Sequence, residues 1–131
     1  MDIAHFCVNE TVDGICSQPI DDGSLLIADA TSSLFTQPFD PRIGICYASG
    51  QKIFSHPGFS LVIMHKDLLG DELASTFEFA SNFNHYAALG SKAVTPPLAG
   101  MLVLNHFLDW LEQQGGVPWR PAAAPERVRV R

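Results

Sequence analysis

An α/β domain, built on a mixed sheet with flanking helices, is the fold this sequence predicts. Three observations carry that expectation. Four short segments, "IAHFCV" (3–8), "SLLIADA" (24–30), "IGICYAS" (43–49) and "FSLVIMH" (59–65), are rich in β-branched or aromatic residues and bounded by Gly, Pro, Asp or Asn. Three of them are apolar on both faces, the pattern of strands buried between layers rather than half in water. One long amphipathic helix follows them, over residues 95–116.

Taken in order, the first two strands span 3–8 and 24–30. The third and fourth are separated by "GQKIFSHPG", long enough for an antiparallel hairpin with a broad loop. A weaker helix begins near "KDLLGDEL", and residues 74–94 carry no strong pattern. For the long helix, Thr95 is the expected N-cap, with Pro96 or Pro97 in the first turn, where a missing N–H costs nothing. Met101, Leu104, Leu108 and Leu111 recur at helical spacing and are expected to form its buried stripe. Gly115 and Gly116 end it, since glycine takes the left-handed conformation that other residues avoid. A sheet with two apolar faces needs helices on both sides. With one clear helix, the chain reads as part of a larger α/β domain that leaves strand edges unpaired.

At 131 residues the chain holds one domain at most. Residues 1–117 form the expected body, and 118–131, rich in Pro, Ala and Arg, a disordered tail. The formal net charge is −6, but it is uneven. Residues 1–119 hold four basic and thirteen acidic side chains, and the last twelve residues hold four arginines and one glutamate. The acidic body argues against nucleic acid as a partner. No apolar run is long enough to span a bilayer. The opening "MDIAHFCVNE" lacks the basic region of a secretory leader. Cys7, Cys16 and Cys46 are odd in number and form no C-x-x-C pair, which points to reduced thiols in the cytoplasm. Cys7 and Cys46, set in strands, are expected to pack as small apolar residues.

Lys52 stands apart within "YASGQKIFSHPG" (47–58). The nearest acids in sequence are Asp40 and Asp67. An amine flanked by apolar strands is desolvated, which favours its neutral, nucleophilic form. Such a lysine suits a Schiff base with an aldehyde, and pyridoxal phosphate (PLP) is the obvious one. That cofactor needs a carboxylate facing its pyridine nitrogen. Asp29, ending an apolar strand in "LLIADATSS", is the candidate. The plainer readings are a solvated loop lysine and an aspartate capping a turn at Thr31 or Ser32. "GICYASGQK" lacks the spacing of a phosphate loop, no G-x-S-x-G elbow occurs, and the five histidines show no metal-ligand spacing.

Four collinear stretches, "HFCVNETVDGI", "IADATSSLFTQPFD", "YASGQKIFSHPGFSLVIMHKDLLG" and "VTPPLAGMLVLNHFLDWLEQQGG", resemble the phosphoserine aminotransferase family, class V members of PLP-dependent fold type I. The resemblance runs from about residue 4 to residue 117 and implies part of that family's large domain. It implies that Lys52 is the lysine that binds PLP covalently and that Gln51 beside it contacts the cofactor. It further implies that Asp29 pairs with the pyridine nitrogen, that Thr11 offers the cofactor a hydroxyl, and that Thr95 reaches the cofactor phosphate of a neighbouring subunit. Glutamate and 3-phosphohydroxypyruvate are the implied substrates, phosphoserine on the route to serine the product, and a homodimer the implied assembly. Val94 replaces the family's asparagine, and Ile53 and His56 depart from its "KN-x-GP" pattern. Family members are two to three times this length. Their glycine-rich phosphate cup, stacking aromatic and substrate-binding arginine have no counterpart here. The alternative role is therefore a non-catalytic binding or dimerisation piece, and the chain alone is expected to be inactive.

Overall fold

The computed structural model describes residues 2–20, 22–70 and 82–117. A four-stranded sheet organises it, in the order β1 (Ile3–Cys7), β4 (Leu25–Asp29), β5 (Ile43–Ser49), β6 (Ser60–Met64). The first three strands are parallel, with His5 opposite Ile27 and Asp29 opposite Tyr47. β6 returns antiparallel to β5 through the broad loop 50–59, pairing Tyr47 with Val62. All four strands lie inside the stretches their sequence pattern marks, and the last pair forms the expected hairpin. β1 and β6 are the sheet's edges.

A small hairpin of β2 (Asn9–Glu10) and β3 (Ile15–Cys16) interrupts the path from β1 to β4. Sequence reasoning passed over it, although Asp13-Gly14 is a turn signal and Gly14 has the positive φ of 69° that glycine tolerates. A six-residue helix, α1 (Phe83–Ala88), lies where no pattern was found. Asn82 caps it by accepting the Asn84 backbone N–H. The weak helix expected near residue 66 is a short 3₁₀ turn, Lys66–Leu68. Its continuation past Gly70 lies outside the described residues, as does the tail 118–131.

The long helix, α2, spans Leu98–Gln113 and ends with Gly115 and Gly116 at φ 89° and 81°. Its start differs from expectation: Pro97 occupies the cap position and no side chain caps the helix. Pro97 lacks the N–H that the second helical position would give a Thr95 hydroxyl, and the helix begins at Leu98 instead. The buried stripe is also rotated. Gly100 and Leu111 are buried, and Leu104 and Phe107 pack on the core, whereas Met101 and Leu108 are exposed. Gly100 explains the rotation. A Cβ there would lie 2.8 Å from the Phe59 ring, and its carbonyl accepts the Ser55 hydroxyl at 2.6 Å. The helix docks by its smallest residue against loop 50–59.

Beneath α2 lies the core: Val8, Ala28, Ala30, Leu34, Ile43, Cys46, Ala48 and Phe54. Alanines at Ala28 and Ala48 bring the sheet close to the Phe54 ring, which is 1% exposed. Phe35 and Phe59 meet that ring edge-on at 5.9 and 6.1 Å, a favoured aromatic arrangement. This packing fixes the loop that carries Lys52.

Candidate cofactor site at the carboxyl ends of the strands

In open α/β sheets, ligands bind outside the carboxyl ends of parallel strands. Three of the sequence-derived candidates come from that end. Thr11 turns out of β2, Asp29 closes β4, and Lys52 follows β5. Thr11 and Lys52, 41 residues apart, meet directly: Lys52 Nζ donates to Thr11 Oγ1 at 3.3 Å. Gln51 is exposed beside Lys52.

Lys52 itself is exposed. The desolvation expected from its apolar neighbours is not supplied by them, because the loop carries the amine beyond the strands. Gly50, two residues before it, serves the fold of the loop itself. A Cβ on Gly50 would lie 2.5 Å from the His56 carbonyl oxygen, and Ser55 N–H donates to the Gly50 carbonyl at 2.9 Å. Gly50 lets the loop fold back on itself.

Asp29 is half-buried. Its Oδ1 accepts the Thr31 N–H at 2.8 Å, so the turn-capping reading holds. The Thr31 hydroxyl in turn accepts the Ser49 N–H at 3.3 Å, tying the ends of β4 and β5 together. Among the described residues the ion pair found is Arg42–Asp40, and Asp29 has no cationic side chain. A half-buried carboxylate with an amide partner and no cation suits a positively charged ring nitrogen.

The hairpin is held over this end by residues the sequence did not single out. Asn9 Nδ2 donates to Ser32 Oγ at 2.8 Å, and Ser32 Oγ donates to the Asn9 carbonyl at 2.6 Å. This reciprocal clamp fixes the turn bearing Thr11 against the turn after Asp29. Thr95 lies exposed ahead of α2, and its side chain makes no cap. No cluster of metal-ligating side chains occurs among the described residues.

The chain is similar to proteins of one known family. The aminotransferase class-V family pattern matches residues 1–119. Phosphoserine aminotransferase of Burkholderia lata is 34% identical over 129 residues, covering 96% of this chain and 36% of that enzyme. The Legionella pneumophila enzyme of the same name is 29% identical, covering 86% and 32%. The structure of PLP-bound phosphoserine aminotransferase from Trichomonas vaginalis superposes with a TM-score of 0.86 at 28% identity, covering 95% of this chain and 35% of that one. Phosphoserine aminotransferase from Bacillus circulans gives 0.80 at 30% identity, covering 90% and 34%. The chain therefore spans about a third of the length of the relatives it matches.

Proposed function

Because this chain belongs to the aminotransferase class-V family, we propose that it carries the lysine-and-carboxylate portion of a PLP site. The reaction that portion serves is amino-group transfer between glutamate and 3-phosphohydroxypyruvate, giving phosphoserine for serine biosynthesis. The observation that carries the reading is the Lys52–Thr11 contact at the end of the parallel strands where Asp29 also lies, with Asp29 having no cationic partner among the described residues.

Lys52 would hold the cofactor through Nζ, and Asp29 would balance the charge of its ring nitrogen. Thr11, already within reach of Lys52 Nζ, and Gln51 would flank it. When bound, PLP supplies an electron-accepting ring. Lys52 Nζ would then be the group to take and return the proton of the substrate α-carbon. Thr95 would serve a phosphate held by a neighbouring copy. A cytoplasmic setting belongs to the same proposal. No helix among the described residues is long and apolar enough to cross a membrane.

Reductive trapping tests the site. The chain is mixed with PLP, reduced with borohydride and mapped by mass spectrometry. Label on Lys52, lost in Lys52→Ala, is the expected result, and label on Lys66 or Lys92 instead would remove the assignment.

A second reading, a non-catalytic piece that binds a copy of itself or of a relative, has its own observation. α2 presents Leu98, Leu102 and Met101 at 70, 64 and 47% exposure. Apolar surface of that kind marks an interface. Concentration-dependent sedimentation that persists in Lys52→Ala would favour this role, and a monomer at all concentrations would exclude it.

A further inference from the structure

The sheet face turned away from α2 carries a polar feature that no role above uses. On that face His5 of β1 reaches over β4 to Tyr47 of β5. His5 Nε2 and Tyr47 Oη lie 2.9 Å apart, and the two rings stack at 5.9 Å with 10° between their planes. β4 runs between them, and Tyr47 is the cross-strand neighbour of Asp29. We propose that His5 and Tyr47 form a clasp across β4 that positions the Asp29 carboxylate, with the Tyr47 hydroxyl donating to it and His5 Nε2–H donating to Tyr47 Oη. The inference rests on the reading of Asp29 as the partner of a cofactor nitrogen.

Three things support the direction of these bonds. An ionised carboxylate only accepts, so a proton between Tyr47 and Asp29 must come from Tyr47. A phenol has one proton, so with that proton on Asp29 the histidine must donate. The Tyr47 phenol is also pushed above its ordinary value, by desolvation first and then by the charge of the neighbouring Asp29. The titratable groups that face Tyr47 are His5 and Cys7 from β1 and Asp29 from β4. From β6 it meets Val62. With Thr31 N–H on Oδ1 and the proposed Tyr47 bond on the carboxylate, Asp29 would be held from two sides and keep lone pairs free for a cation.

The free chain allows a test that needs no cofactor. Tyr47 and Tyr86 are its two tyrosines. Labelled with ¹³C at Cζ and assigned with Tyr47→Phe, they can be titrated by NMR. Tyr47 should ionise above the ordinary tyrosine value of about 10. Asp29→Asn removes the charge and keeps the shape, so it should move Tyr47 down. His5→Phe keeps a ring to stack but removes the donor that steadies the phenolate, so it should move Tyr47 up. A Tyr47 titration unmoved by Asp29→Asn would overturn the proposal. So would a downward move in His5→Phe, because the Tyr47 proton would then sit on His5. A second measurement uses PLP trapping on Lys52. Tyr47→Phe should weaken apparent PLP affinity about three- to tenfold, as loss of an ordinary hydrogen bond does, and have no further effect in an Asp29→Asn background. Equal losses in both backgrounds would also overturn it. If the unsubstituted chain traps no PLP, the cofactor reading fails, and the Tyr47 titration still decides the clasp.

Discussion

The two faces of the sheet are made of the same four strands and treat their residues differently. The face under α2 is built from small or tightly packed residues: Ala28 and Ala48 are fully buried, Cys46 is 2% exposed, and Phe54 closes over them. The opposite face carries larger side chains and leaves them accessible, with Ile3 at 62% and Val62 at 40% exposure. It also carries the polar groups, His5, Tyr47 and Asp29. Small residues let a helix and an aromatic loop approach the sheet, and that approach fixes the loop holding Lys52. The described residues leave this face open, and its polar groups are tied by hydrogen bonds, between His5 and Tyr47 and from the Thr31 N–H to Asp29. One face carries the packing and the other carries the polar side chains.

The cysteines follow the same division. Cys46, on the covered face, has its thiol pushed up, chiefly by burial and secondarily by the charge of Asp29. Cys16, in the exposed hairpin, lies within 3.4 Å of Asn9 Oδ1. Burial, not the strand setting alone, is what makes a thiol inert.

The comparison breaks most severely at Phe54. Phe54→Ala should cost about 3–5 kcal/mol, the range for emptying a filled aromatic site in a core. Denaturant unfolding followed by far-UV circular dichroism would read it. Because Phe35, Phe59 and the α2 residues Leu104 and Phe107 pack on that same cluster, the loop bearing Lys52 should loosen with it. A midpoint unchanged from the parent chain would show that the covered face is not the source of stability.

Gly50→Ala comes next. The added methyl meets the backbone carbonyl of His56, which cannot swing aside as a flexible side-chain end could. The loop must shift, at a cost of about 1–3 kcal/mol, typical of overpacking. Trapping of PLP on Lys52 should fall further than stability does, since the lysine follows two residues later. Parent-like trapping with lowered stability would mean that the loop's geometry does not place the amine.

How much of this was legible beforehand depends on how local each signal is. The four strands were, because their patterning is local, and the glycines ending α2 were too. The orientation of α2 was not. Met101, Leu104, Leu108 and Leu111 satisfy helical periodicity as well as Gly100, Leu104, Phe107 and Leu111 do. What decides between them is that Phe59 and Ser55 await a residue without a side chain. α1 is too short to show a period at all. In the site, Lys52 drew attention by its isolation from acids, Asp29 by ending an apolar strand, and Thr11 through a resemblance. The Asn9–Ser32 clamp and the His5–Tyr47 pair join residues 23 and 42 positions apart. Alternation places each on a strand face, but only the strand order brings them together.

The smallest expected effect is on the open face, at Val62. It sits opposite Tyr47 on the edge strand β6 and is 40% exposed. Val62→Thr keeps the branched shape that a strand favours and exchanges one methyl for a hydroxyl that water can reach. On a buried face the same exchange would strand a polar group and cost about 1–3 kcal/mol. Here the change in stability should stay within about 0.5 kcal/mol, as it does for ordinary surface substitutions. The measurement is the same unfolding curve used for Phe54→Ala, so the two substitutions set the scale of the difference between the faces. A loss at Val62 approaching that at Phe54 would mean that the open face is packed in solution by another copy of the chain. In that case the loss should shrink on dilution, because association contributes stability only in proportion to the population of the assembled state.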